Sequence, residues 1–130
     1  MDISSLRLHN LHTLLASLVG LLGVGGGIYC LTDPIAFSDT LGIPVTSTSS
    51  PALPFVSFVG ARNLSSGLAM ITLLYTGQRK AAGVLLMSGV VAAMADASIC
   101  ATYKAKEGKA AVHAVMGVFM GALGGSFYWG

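Results

Sequence analysis

A chain of 130 residues with 54% hydrophobic and 9% charged side chains is one domain at most, and its charge content lies far below the roughly 25% of a soluble domain. The formal net charge of +2 is scattered, with no basic stripe or acidic tail, which argues against a nucleic-acid partner. A mean hydropathy of +0.77 and 17 glycines read instead as an integral membrane protein, in which glycine lets helices approach closely.

Residues 1–10 are polar enough to lie in water or at an interface, and residues 11–31 then run without a charge. About twenty such residues make a helix long enough to cross roughly 30 Å of hydrocarbon. Arg7 ahead of this stretch imitates a secretory signal. The stretch is longer than a typical signal core, however, and Tyr29-Cys30-Leu31 is not a small-residue cleavage site, so it is expected to be retained. Gly23 and Gly27 offer a GxxxG face to another helix. The surrounding glycine run lacks the dinucleotide-loop spacing and follows no strand. His9 and His12 stand one turn apart, a spacing able to bind metal, although solvation at the interface is the simpler expectation.

From Thr32 to Leu53 the sequence turns to loop chemistry: Asp33-Pro34, Asp39, Gly42, Pro44 and the run from Thr46 to Ser50. Between the breakers, Ile35 to Leu41 either forms one or two amphipathic turns on the membrane surface or serves as a spacer. A connection this long is expected to act as a lid if it folds over a cavity.

A second span over about 54–77 carries Phe55, Phe58 or Val59, Arg62, Ser65 or Ser66, and Ala69 on one face. Gln78-Arg79-Lys80 is so short a turn that the next helix should run antiparallel beside it. That helix, about 81–103, has one charge, Asp96, on a stripe with Ser88, Ala92, Ile99 or Cys100, and Tyr103. A basic turn from Lys104 to Lys109 leads to a last span, about 110–129, with His113, a Gly117-Gly121-Gly125 ladder and an aromatic belt at Tyr128 and Trp129. The expected fold is therefore all-α: a single antiparallel four-helix membrane bundle with residues 32–53 as a candidate lid. Lysines and arginines divide three and three between the two sides, so orientation stays open. Cys30 and Cys100 have no CxxC or Cys/His spacing near them and read as small buried hydrophobes, neither disulfide nor metal ligands.

Arg62 is the residue that demands a reason, because a charge at membrane depth costs roughly 2.5 to 3.5 kcal/mol on insertion scales and marks a functional site by default. Counting along helices that rise about 1.5 Å per residue, Arg62, Asp96 and His113 fall in the same half of the bilayer, with Tyr29 and Tyr103 nearer the mouth. An Arg62–Asp96 pair with His113 nearby satisfies groups that would be costly if each faced lipid. One reading is structural, a pair that fixes helix register. The functional reading is an acid–base couple: a carboxylate held ionised beside Arg62, and an imidazole suited to proton exchange near neutral pH. Asn63, about 100° round the helix from Arg62, either joins the pocket or meets a neighbouring helix. Ser65 and Ser66 sit one turn away; no His-Asp order makes them nucleophiles, and Ser66 enters only as a substrate contact. Phe55, Phe58, Met116 and Met120 are the candidate walls.

Gly60-Ala61-Arg62-Asn63 followed by Gly67, a helix with a mid-span Asp96, and His113 in a last glycine-rich helix resemble a family of small four-helix membrane proteins of unknown function related to the DoxX-like proteins. The Pro34 to Pro44 stretch, ending Leu41-Gly42-Ile43-Pro44, is similar to the first loop in that group. The resemblance covers nearly the whole chain. It implies a fungal enzyme of natural-product gene clusters that acts, without a cofactor, on a lipophilic polyketide or terpenoid intermediate. Epoxide opening by water or an internal hydroxyl is the chemistry it favours, and Arg62, Asn63, Asp96 and His113 are the matched positions. A eukaryotic member would reside in the endoplasmic reticulum. The expected partners are a lipophilic substrate and membrane lipid. The rival expectations are a proton-coupled carrier or channel, which would need a homo-oligomer to build a pathway, and a structural assembly subunit.

Overall fold

The computed structural model describes the main chain from residue 3 and the side chains from residue 10. The chain is all-helical: α1 (Ile3–Thr32), α2 (Pro34–Leu41), α3 (Leu53–Tyr75), α4 (Arg79–Thr102) and α5 (Lys109–Trp129). Among the described residues there is no strand. The four long helices lie over the four stretches expected as spans, and at Ile35 to Leu41, where a short helix and a spacer were both open, the chain forms the helix α2.

Local chemistry sets the boundaries. The Asp33 carboxylate accepts from the Ala36 N–H at 3.0 Å, Pro34 opens α2, and Gly42 closes it at φ +89°, a left-handed position suited to glycine. Gly77 (φ +71°) and Gly108 (φ +82°) turn the chain before α4 and α5.

Three stretches are long and apolar enough to cross a membrane: Asn10–Thr32, Arg79–Thr102 and Lys109–Trp129. Only 22% of each is buried inside the fold, and Leu22, Val91 and Val118 are each at least 70% exposed. So apolar an exterior belongs in hydrocarbon rather than water, and the chain reads as a membrane protein. The remaining long helix, α3, has 23 residues, about 35 Å of rise. Arg62-Asn63 and the serines at 57, 65 and 66 dilute its hydropathy.

The long helices do not pair as their order in the chain suggests. α1 packs along α3 and α4 along α5, whereas α3 and α4, joined by the short turn, touch far less. Glycine placement explains the choice. A Cβ at Gly67 would lie 2.6 Å from the Gly20 carbonyl oxygen and from the Val24 nitrogen, so α1 and α3 meet backbone to backbone. Gly83 and Gly124 do the same for α4 and α5: a Cβ on either would come within 2.8 Å of the other's carbonyl oxygen. Close-approach surfaces of this kind drive packing where lipid removes the hydrophobic effect between helices. In α5 the tight contact thus uses Gly124, seven residues after Gly117, while Gly125 meets only Trp129 of its own helix.

The two pairs are joined at their ends. Near the α3–α4 turn, Ala16, Met70, Ala82, Leu86, Leu123 and Phe127 form one core. Arg79 ties it together, donating from Nη1 to Thr13 Oγ1 at 2.8 Å and lying 4.2 Å above the Phe127 ring. His12 belongs to this packed end, its ring 6.5 Å from that of Phe127; the His9 side chain falls outside the described residues. At the opposite end Cys30, Phe37 and Val56 form a second core. Both cysteines are free and buried; the Cys30 thiol donates to the Val56 carbonyl at 3.0 Å.

α2 is not a bystander. It seats Phe37 and Ser38 inward against α1 and α3, then reaches across to the α4–α5 turn. Lys106 Nζ meets Asp39 Oδ1 at 2.5 Å, Lys109 Nζ donates to the Thr40 carbonyl at 2.6 Å, and the Lys106 N–H donates to the Gly42 carbonyl at 3.0 Å. This strap closes one end of the bundle, and between the two closed ends the pairs part.

Candidate functional site: two cavities and an ion pair

Where the pairs part, Arg62 of α3 reaches Asp96 of α4, donating from Nη2 to Oδ2 at 3.2 Å. The contact is single-pronged and incompletely buried, with 44% of the arginine side chain and 29% of the aspartate exposed. It is the predicted partner choice, and it bridges one helix pair to the other. Among the described residues the guanidinium makes no other hydrogen bond, and an arginine carries five donors.

The ion pair stands between two cavities. One, of about 270 Å³, lies beneath the strap. Leu41, Ile43 and Val45 form its roof, Phe55, Val56 and Val59 one wall, and Ile99 and Cys100 another. Its polar lining side chains are Asp96 and His113. No hydrogen bond joins those two among the described residues; they face a shared apolar space.

The second cavity, about 350 Å³, lies deeper between the pairs. It receives Arg62, Asn63 and Ser66 from α3, Ser88 from α4 and Met120 from α5, against the glycine backbone of α1 at Gly20 and Gly23. Ser88 spends its hydroxyl proton on its own helix, at the Leu85 carbonyl, and Ser65 does likewise at the Arg62 carbonyl, as serines in apolar helices tend to. The Asn63 amide and the Ser66 hydroxyl make no hydrogen bond to another described residue.

The anticipated site residues therefore divide. Asp96, His113 and Phe55 share the strap-side cavity; Asn63, Ser66 and Met120 belong to the deeper one; Arg62 touches the deeper cavity and, through Asp96, the other. Four line neither. Tyr29 stacks edge-on to Phe37 at 5.6 Å, Phe58 packs edge-on to Phe55 at 6.2 Å, and Tyr103 and Met116 face outward. The roof residues Leu41, Ile43 and Val45 were not anticipated as lining. Their signal was in the sequence, as apolar side chains at every second position through an otherwise polar loop. Among the described residues no three His, Cys, Asp or Glu side chains converge as a metal site would require.

Chemically, the strap-side cavity offers a proton acceptor and a proton exchanger in an apolar box, with the acceptor positioned by a fixed cation. The deeper cavity offers hydrogen-bond donors and no unpaired charge.

A family model described as Domain of unknown function (DUF4267) matches residues 20–127. The match takes in all of this machinery, and the chain belongs to that family. No curated protein and no solved structure matches the chain.

Proposed function

We propose that this member of the DUF4267 family is a four-span membrane enzyme that opens an epoxide on a lipophilic polyketide or terpenoid by acid–base catalysis, without a cofactor. The observation that carries this reading is that Asp96, tied to Arg62 at 3.2 Å, and His113 open into one apolar cavity. A strained three-membered ring needs a base at the attacking oxygen and an acid at the departing one, and this pair supplies both.

In the proposed step the Asp96 carboxylate takes a proton from water, or from a hydroxyl of the substrate itself, as that oxygen bonds to an epoxide carbon. The carbon–oxygen bond of the ring breaks, and the protonated imidazole of His113 gives its proton to the freed oxygen. A proton returning from Asp96 to His113 resets the site. The two roles are interchangeable within the same geometry. Arg62 positions Asp96 and keeps a carboxylate tolerable at membrane depth. Substrate enters from the bilayer, and the strap over Leu41, Ile43 and Val45 serves as the lid.

The direct test is turnover of lipophilic epoxides by the purified protein in lipid nanodiscs, with diol or cyclised product identified by mass spectrometry. Asp96→Asn and His113→Gln should each lower the rate by roughly 100-fold or more, the usual share of one general acid or base. Undiminished activity in Asp96→Asn would remove Asp96 from the reaction.

A second reading has one observation in its favour. Cavities adjoin both partners of the ion pair, as a proton-coupled carrier would require. Proton or solute flux in proteoliposomes, abolished by Asp96→Asn in a protein inert towards epoxides, would favour it.

A further inference from the structure

The deeper cavity is a void with a chemistry of its own. It is lined by Arg62, whereas Asp96 and His113 line the strap-side cavity, and it holds the half-buried Asn63 amide and the exposed Ser66 hydroxyl, neither engaged by another described residue. Polar side chains within a membrane helix normally find a partner in the protein. Two that do not, on the wall of one cavity, are placed to meet a ligand. The free guanidinium N–H groups of Arg62 add donors at the top of the same space. Asn63 and Ser66 can donate or accept, but the guanidinium only donates, so the ligand group that all three can bind is an oxygen acceptor. Asp96 already balances the charge of Arg62, so the preferred acceptor is neutral.

We infer that the deeper cavity holds a neutral oxygen acceptor of the substrate, a ketone, ester or lactone carbonyl, while the reacting carbons lie across the ion pair beside Asp96 and His113. This rests on the reading of Asp96 and His113 as the reacting pair. It makes the substrate an extended molecule with two features in fixed relation. Ser66 follows Arg62 by one helical turn and the cavity extends to Met70, so the carbonyl sits about 6 to 12 Å from the reacting carbon along α3. The rest of the lining is aliphatic side chain and glycine backbone, which suits an alkyl or polyene connector.

Photolabelling decides this without requiring turnover. Two straight-chain diazirine probes, one with a ketone about 8 Å from a terminal epoxide and one with a methylene in its place, are presented to the protein in nanodiscs. Cross-linked peptides are then mapped by mass spectrometry. The ketone probe should label peptides around Gly20–Gly23, Asn63–Met70 and Leu85–Ala92 about tenfold more at equal concentration, the scale of one or two satisfied hydrogen bonds. That preference should fall to parity in Asn63→Leu and weaken in the milder Ser66→Ala.

Equal labelling by the two probes, or a preference that survives both substitutions, overturns the inference. A carboxylate probe that outcompetes the ketone overturns the neutral-acceptor assignment. If epoxides are turned over, Asn63→Leu should raise KM several-fold more for the ketone epoxide than for the alkyl epoxide, and an equal rise for both would count against the carbonyl contact. A ketone preference in a protein inert towards epoxides would leave the deeper site standing and remove the reaction.

Discussion

Arg62 and Asp96 can be separated into what they do for the fold and what they do for chemistry, because a pair and its halves behave differently. Removing one partner strands the other at membrane depth, whereas replacing both with apolar groups removes the desolvation cost altogether. Arg62→Leu alone should therefore lower stability, by about 1 kcal/mol given the partial exposure of the pair. Arg62→Leu with Asp96→Leu should recover most of that loss. Thermal unfolding in detergent reads the first effect and epoxide turnover the second: the double variant should be stable and inactive. A double variant less stable than either single one would make the pair a net structural asset. The partnership was legible because a cation within an apolar helix has few acidic side chains to choose from at its depth, and Asp96 is the one on the neighbouring spans. The split into two cavities was not. Counting residues along a helix gives height within the membrane but not which side of a parted bundle a side chain enters, and so Asn63 and Ser66 separate from His113.

Helix pairing is settled by where backbones can touch. A Cβ at Gly67 would meet Gly20, Gly23 and Val24 backbone atoms between 2.6 and 2.9 Å away, while one at Gly25 has nothing within 4 Å. The two positions form a matched comparison. Gly67→Ala should push α3 off α1 and cost about 1 to 3 kcal/mol. Gly25→Ala should be neutral or gain up to about 1 kcal/mol from helix propensity. Thermal denaturation of the two in the same detergent checks the ordering, and equal midpoints would mean that the α1–α3 contact is looser than its geometry implies. The helices themselves were readable from charge-free runs bounded by turns, and the Gly23–Gly27 face was readable as a packing surface. What remained hidden was the partner of each face. A short turn places α3 and α4 in sequence, but Gly67 against Gly20 and Gly83 against Gly124 give closer contacts than the hairpin does. The inward packing of α2 was hidden for a related reason. Phe37 marks its inward face only once α1 and α3 are known to sit beside it.

At the scale of the molecule, the strap and the α4–α5 turn meet at one end, and the α3–α4 turn and the Arg79–Phe127 contact lie at the other. Four crossings follow if α3 spans with its neighbours. Its hydropathy is lowered by polar groups of which Arg62, Asn63 and Ser66 line the deeper cavity, while Ser65 is exposed and bonds its own helix. A helix of 23 residues that turns part of its polar surface towards its own bundle would cross at less cost than its average composition implies. The topology then fixes which loops share a compartment. On a background with Cys30 and Cys100 replaced by serine or alanine, single cysteines at Thr48 and Glu107 should react with a membrane-impermeant maleimide from the same side of a sealed vesicle, and a cysteine at Gln78 from the other. Labelling of the Thr48 and Gln78 positions from one side would mean that α3 does not cross. The ion pair would then lie near an interface, and a substrate of the proposed reaction would reach Asp96 from water rather than from the bilayer.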